Sequence, residues 1–231
     1  FVKSVYFRIV ELLDNKPFPE DEGLYPGHYI IDIAKEVLKK INNKKFNDFD
    51  EAKSILTPYA IESALNIIKK DLRQMGIAHD HFVSESNIVE SKILKKAINK
   101  LEIKGDIYTG KLPKPKGDVE DWEPRDQLLF KSTRYGDDVD RALQKSDSTW
   151  TYFANDVAYH YDKLNRDFDE YLNILGADHA GYVKRLTSAV NALNNKKKFE
   201  IKLSQIVKLY KSGKPFRMSK RAGDFILAKE L

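Results

Sequence analysis

Apolar positions in the first third of the chain recur every three to four residues. Val2, Val5, Ile9, Leu12 and Leu13 share one face of a helix predicted over Val2–Leu13. A Pro-rich acidic loop, Pro17–Gly27, ends it. Ile30, Ile33, Ala34, Val37, Leu38 and Ile41 form the stripe of a second helix over Tyr29–Ile41. Asp50–Met75 reads as a longer helix with a candidate break at Thr57-Pro58, because proline removes a backbone donor, and Gly76 is its predicted stop. His81-Phe82-Val83 is a strand candidate, and Ser84 with Ser86 are cap candidates for a helix over Asn87–Leu101.

The texture then changes. Lys104–Asp121, rich in Gly, Pro and Lys, predicts a hairpin or long loop. Gln127–Phe130 reads as a buried strand and Asp137–Arg141 as a polar turn. Tyr152–Leu164 is helical, Tyr171–Leu175 a buried strand and Tyr182–Leu193 a helix. Phe199–Leu203 and Ile206–Tyr210 alternate like the two arms of a hairpin. Helix–strand–helix–strand order over the last third predicts an α/β layer.

At 231 residues, with 42% hydrophobic and 32% charged residues, the chain is long enough for one large domain or two small ones. No apolar run approaches the roughly 18 residues that span a bilayer. There is no cysteine, which excludes disulfides, thiolate metal sites and Cys nucleophiles. The chain starts at Phe1 without an initiator Met or a signal-peptide layout and stops at Leu231, and so reads as a piece of a longer protein. A net charge of +5 fits an acidic partner such as nucleic acid or nucleotide. The same lysines, scattered in pairs among Asn and Ile, fit an ordinary solvated surface equally well.

Three short segments carry candidate chemistry. Phe216-Arg217-Met218-Ser219-Lys220-Arg221-Ala222-Gly223 is a basic loop suited to a triphosphate. Lys220 supplies a compact cation, Arg217 and Arg221 a wider basic field, and Gly223 freedom to close over phosphates. Tyr152 and Asp156 lie four residues apart and share a helix face, where a carboxylate can take a guanidinium bidentately and a phenol can stack beside it. On spacing alone, an ordinary helix with a solvated Asp and a core Tyr is the favoured explanation. Gly176-Ala177-Asp178-His179 follows a predicted strand, where doubly wound folds place ligands. There Gly176 permits close approach, Asp178 suits ribose hydroxyls and His179 can reach a substrate. His79 and His81 lack the further ligands that a metal site needs. Asp137, Asp138 and Asp140 fit a turn paired with arginine, and Lys196–Lys198 fits a solvated loop. His160, one turn beyond Asp156, suits either the pocket or helix packing.

Trp122–Thr133, Tyr135–Arg141, Lys145-Ser146-Asp147, Thr151–His160, Gly176–Tyr182 and Met218–Gly223 together resemble bacterial arginyl-tRNA synthetase, with Tyr25–Ile30 similar to an earlier family segment. The resemblance covers essentially the whole chain and is densest over Trp122–His160. It implies a class I synthetase that activates arginine with ATP and Mg2+, then esterifies tRNA(Arg), often needing the tRNA for the first step. The implied fold is α/β, a partial Rossmann-like catalytic domain with a mixed helical and β connective insertion. Residues 1–145 hold the insertion and flanking catalytic segments, and 146–231 the second half of the catalytic domain.

Carried over by residue, Tyr152 and Asp156 match positions that grip the arginine guanidinium, and His179 a substrate-pocket position held by Gln in some relatives. Gly176 and Asp178 match the adenosine-lining segment. Met218, Ser219 and Lys220 match the mobile Lys-Met-Ser-Lys-Ser loop as catalytic residues, with Arg217 and Arg221 at its first lysine and final serine. No His-Ile-Gly-His element is present, so the resemblance implies that the chain is inactive by itself. It also implies a cytoplasmic, monomeric parent with no structural metal. Two other readings stay open: an adenylating enzyme of different amino-acid specificity, and a non-catalytic RNA-binding module.

Overall fold

The structure, a computed structural model, describes residues 1–90, 92–114, 124–194, 196–216, 218 and 226–227. Its contacts divide the chain into two compact units, Phe1–Asp80 with Lys208–Leu231, and His81–Val207.

The first unit is built on three helices, α1 (Val2–Asp14), α2 (His28–Lys40) and α3 (Phe49–Gln74). The predicted faces are buried at their centres, while Leu12, predicted on the α1 face, is exposed. Val5 and Ile9 of α1 and Ile30, Ile33, Ala34, Val37 and Leu38 of α2 meet Ala52, Leu56 and Ala60 of α3 in one apolar cluster. Helix α1 ends with Asn15 in the left-handed region (φ 52°), an accepted place for Asn at a helix end. The loop before α2 is pinned by Arg8, which donates to the Pro26 carbonyl at 3.0 Å and lies 3.8 Å over the Phe18 ring.

Helix α3 does not break at Thr57-Pro58 as the sequence predicts. Pro58 lies on the exposed side, as does Ser54, whose carbonyl loses its helical donor on the solvent-facing side where that loss costs least. Leu56 and Ala60 hold the inner face in the core. Asp48 caps the start by accepting from the Glu51 N–H at 2.8 Å, and Gly76 stops the helix at φ 75°. From Lys208 onward, β6 (Leu209–Lys211) and β7 (Lys214–Phe216) form a hairpin. Its two-residue turn places Ser212 and Gly213 at φ 52° and 75°, the geometry that matches strand twist.

The second unit contains α4 (Glu85–Glu90), α5 (Ile93–Ile103), β1 (Ile107–Gly110), β2 (Gln127–Phe130) and β3 (Arg141–Gln144). After these come α6 (Tyr152–Leu164), β4 (Glu170–Gly176), α7 (Val183–Leu193) and β5 (Lys198–Ser204). Strands β1, β2 and β3 form an antiparallel sheet in which Ile107–Gly110, inside the predicted Lys104–Asp121 segment, pairs with β2; residues 115–121 of that segment lie outside the described residues. Three expectations fail here. His81–Val83 is not a strand, and the predicted Asn87–Leu101 helix is two helices. Phe199–Leu203 pairs in parallel with β4, Glu170 facing Lys198 through to Gly176 facing Ser204, rather than in a hairpin with Ile206–Tyr210. Alternation marks a strand but carries no information about its partner.

A 3-10 turn, Ala177–Tyr182, and α7 connect β4 to β5, which makes a βαβ unit and confirms the α/β class. Phe153, Ala154, Val157 and Ala158 of α6 pack with Ala189, Val190 and Leu193 of α7 in the core. The predicted buried strand is only half so: Tyr171 is buried, while Leu172 and Ile174 are 52% and 70% exposed. The expected division at 145/146 falls inside this unit. Gln144 bridges to Trp150, and the Thr151 hydroxyl donates to the Ala142 carbonyl at 2.8 Å, tying β3 to the start of α6.

Candidate functional site

Thr151 caps α6 by accepting from the Ala154 N–H at 3.2 Å, which starts the helix at Tyr152 and puts Asp156 one turn inside it. Asp156 is half-buried and lines a cavity of about 290 Å³ with Asn155 and Tyr159 of α6, Glu85 and Ile88 of α4, and His81 and Val83 just before α4. That volume is at the small end of ligand sites, which span roughly 300–1,000 Å³.

The polar lining is rich in acceptors. Glu85 and Asp156 bring two carboxylates. Asn155 donates weakly to Glu85 Oε1 at 3.5 Å, and its own Oδ1 is buried without a hydrogen-bond partner among the described residues. The two carboxylates leave the cavity with more acceptors than donors, so a donor-rich cationic ligand would be favoured here.

The Asp156 carboxyl is pushed above its ordinary range, first by burial and then by the Glu85 charge. The Tyr182 hydrogen bond and the Arg185 charge pull the other way. Tyr182 ends the 3-10 turn and donates its hydroxyl to Asp156 Oδ2. Burial and that bond raise the phenol's own pKa. The Arg185 guanidinium, from α7, lies 4.9 Å over the Tyr182 ring, with its Nε buried and unpartnered among the described residues.

The other predicted residues are placed differently. Tyr152 begins α6, is 87% exposed and does not line the cavity. Gly176, Asp178 and His179 stand together at the carboxyl end of β4, the expected ligand position of a βαβ unit, with Asp178 Oδ2 3.6 Å from His179 Nε2. Both side chains are exposed, and neither they nor Gly176 line the cavity. At Gly176 an added Cβ would run into the Asp178 carboxylate, with the His179 ring next nearest at 4.0 Å, so the Asp178 side chain uses the space the glycine leaves. Met218 is exposed, and Arg217, Ser219, Lys220, Arg221 and Gly223 lie outside the described residues.

His160 is a packing residue. Its Nδ1 donates to the Asp156 carbonyl at 2.8 Å, its Nε2 accepts from Asn173 at 2.8 Å, and Tyr159 and Phe199 meet its ring edge-on. Asp137 takes Arg141 bidentately at 2.7 and 2.7 Å, Asp138 takes Lys184 at 2.7 Å, and Asp140 accepts from Thr133 and Tyr108. Sequence reading missed Glu85, Asn155 and the role of Tyr182. Glu85 was hidden between two serines read as caps, and Tyr182 inside the Gly176–Tyr182 segment.

No protein-family model matches the chain. Curated relatives do. It is 55% identical over 234 residues to the arginine–tRNA ligase of Pelagibacter ubique, matching 100% of this chain and 41% of that protein. It is 48% identical to the arginine–tRNA ligase of Bartonella henselae, over 99% of this chain and 40% of that protein. A solved arginyl-tRNA synthetase from Campylobacter jejuni superposes with a TM-score of 0.72 at 32% identity, over 99% of this chain and 46% of that one. The chain belongs to the arginyl-tRNA synthetase family. It spans about two fifths of the length of the curated relatives it matches. Within this family member, the acidic cavity and the carboxyl end of β4 are neighbouring parts of one compact unit, joined through Tyr182. Among the described residues no helix is long and apolar enough to cross a membrane, and no three His, Asp or Glu are grouped to hold a metal ion.

Proposed function

We propose that the cavity on α6 takes the guanidinium of arginine, and that the complete polypeptide carrying this chain activates arginine with ATP and transfers it to tRNA(Arg). The observation that carries this reading is the lining itself: two carboxylates, Asp156 and Glu85, from two different helices in one cavity. A guanidinium brings five donors in a planar fork, and its charge is fixed at any physiological pH. It would offset the repulsion between the two carboxylates. A neutral side chain would leave them unpaired, the strongest form of rejection that a polar site offers.

The remaining assignments follow the family. Tyr152 would close over the bound side chain, and its exposure leaves it free to do so. Gly176 and Asp178 would line the adenosine, with His179 on the amino-acid side. Arg217, Met218, Ser219, Lys220 and Arg221 would face the phosphates. One carboxylate oxygen of arginine attacks the ATP α-phosphorus in line, the bond to the bridging β-phosphate oxygen breaks, and pyrophosphate leaves. The chain's part is positioning and charge: Asp156 fixes the side chain, and Lys220 offsets charge growing on the leaving group. ATP enters with its Mg2+ as substrate. Residues 1–145 would be the connective insertion with flanking catalytic segments and 146–231 the second catalytic half, in a cytoplasmic, monomeric parent.

The test is ATP–pyrophosphate exchange by the complete polypeptide, with and without tRNA. Arginine should support exchange and citrulline, its uncharged isostere, should not. Asp156→Asn should lower kcat/KM for arginine by about 100- to 1,000-fold, the usual result of removing one partner of a desolvated charge pair. Unchanged arginine activation in that variant would sink the guanidinium role.

A further inference from the structure

The acidic cavity is linked to the turn after β4 by one side chain. Tyr182 closes the turn that contains Asp178 and His179, and its phenol reaches α6 to donate to Asp156 Oδ2. The ring is held in place, packed against the apolar cluster of the second unit with Arg185 4.9 Å over it. We propose that Tyr182 is a positioning residue of the guanidinium site, orienting the Asp156 carboxylate and tying that orientation to the 177–182 turn. The proposal rests on the reading of the cavity as the arginine site.

The chemistry gives such a phenol two effects. The terminal torsion of an aspartate is broad by itself, and a bond to one oxygen fixes the plane in which the other is presented. A guanidinium fork needs that plane set, because its donors are rigid. A donor on the carboxylate also favours the ionised form, the only one that pairs with a cation. The groups facing Asp156 are Glu85 of α4, His81 just before it, Tyr182, Arg185 of α7, and Asn155 and Tyr159 of α6 itself. Of these, Glu85 opposes ionisation and Tyr182 and Arg185 favour it. The link also puts the amino-acid cavity and the carboxyl end of β4 on one mechanical element, so a shift of the turn reorients Asp156.

The experiment is arginine-dependent ATP–pyrophosphate exchange by the complete polypeptide with tRNA present, run across pH for wild type, Tyr182→Phe and Asp156→Asn. Tyr182→Phe keeps the ring and its packing. It should raise the arginine KM about tenfold, as expected for loss of a hydrogen bond to a charged group, and leave the ATP KM within about twofold. The acid limb of arginine kcat/KM, which reports the free enzyme, should move to higher pH, because losing the donor makes Asp156 easier to protonate. Incorporating 3-fluorotyrosine at position 182 keeps the fold and the hydroxyl but strengthens the donor, and should move the limb the opposite way. An unmoved acid limb in both variants, or equal changes in the arginine and ATP KM values, overturns the proposal. If Asp156→Asn loses arginine use while Tyr182→Phe is indifferent, the proposal alone falls. If Asp156→Asn is itself indifferent, the arginine reading falls and the proposal with it.

Discussion

In the helical unit of Phe1–Asp80, the buried polar side chains among the described residues are Ser4 and Ser63, and the rest of the core is aliphatic or aromatic. In His81–Val207 the buried set includes Asp106, Asp137 and His160, with Asp156 half-buried beside them. The first arrangement is what burial of apolar area alone produces. The second needs each buried charge or ring nitrogen to be partnered, and most of them are: Asp106 by Tyr135 and Arg134, Asp137 by Arg141, His160 by a carbonyl and an amide. Where charges are left without a cationic partner among the described residues, at Asp156 and Glu85 in the cavity wall, the structure has room for a ligand. The difference teaches where to look for function: in the unit whose core holds titratable groups, and there at the place where charges are left without a cation.

Three stability measurements would break or sharpen this contrast, each read by denaturant or thermal unfolding. Arg141→Met should have the largest effect, a loss of about 3–5 kcal/mol, because it leaves the Asp137 carboxylate buried with its bidentate partner gone. Burial pushes that carboxyl up, yet the Arg141 and backbone bonds hold it below the ordinary range. A loss under 1 kcal/mol would mean that the pair is solvated and that the contrast between the units is overstated. Leu56→Ala should come next, about 3 kcal/mol for a fully buried leucine in the helical core, with little dependence on pH.

The third measurement is a pH titration of stability. Burial lowers the pKa of His160 to about 4 from 6.5, and the neighbouring Lys163 adds to that, against the pull of the Asp156 carbonyl. The unfolded chain therefore binds a proton that the folded one refuses between these values. The His160 contribution is fully present above pH 6.5 and is lost as pH falls from 6.5 towards 4, by at most about 3 kcal/mol. His160→Gln should flatten that window. A wild-type curve already flat from pH 7 to 4 would show that the ring is charged in the fold, contrary to its buried position.

Much of this was legible beforehand, unevenly. The stripes Val5–Ile9 and Ile30–Leu38 mark their helices because a helix buries one face and the 3.6-residue period records it. The Tyr152–Asp156 spacing marked one face of a helix, which the fold forms as α6, and the family pattern marked Gly176–His179 after a strand. Pro58 misled, since a local rule about a missing donor could not see that the lost bond falls on the exposed side of α3, where it costs least. The pairing of β5 misled too, because period-two alternation is the same whether a strand turns back on its neighbour or crosses over to a parallel one. Glu85 was out of reach: it is seventy-one residues before Asp156 and only the packing of α4 on α6 brings the two to one cavity.

By itself the sequence determined the helix faces, the α/β character of the last third and the family, since each is written in local spacing or in ordered motifs. The tertiary structure alone decided which carboxylates share a cavity, that Tyr152 stays at the surface while Asp156 goes half inside, and that Tyr182 reaches back to hold it. Those outcomes depend on burial and on contacts between residues far apart in the chain, which set how strongly a charge is desolvated and what is near enough to answer it. No residue carries that information in its own type or in its neighbours.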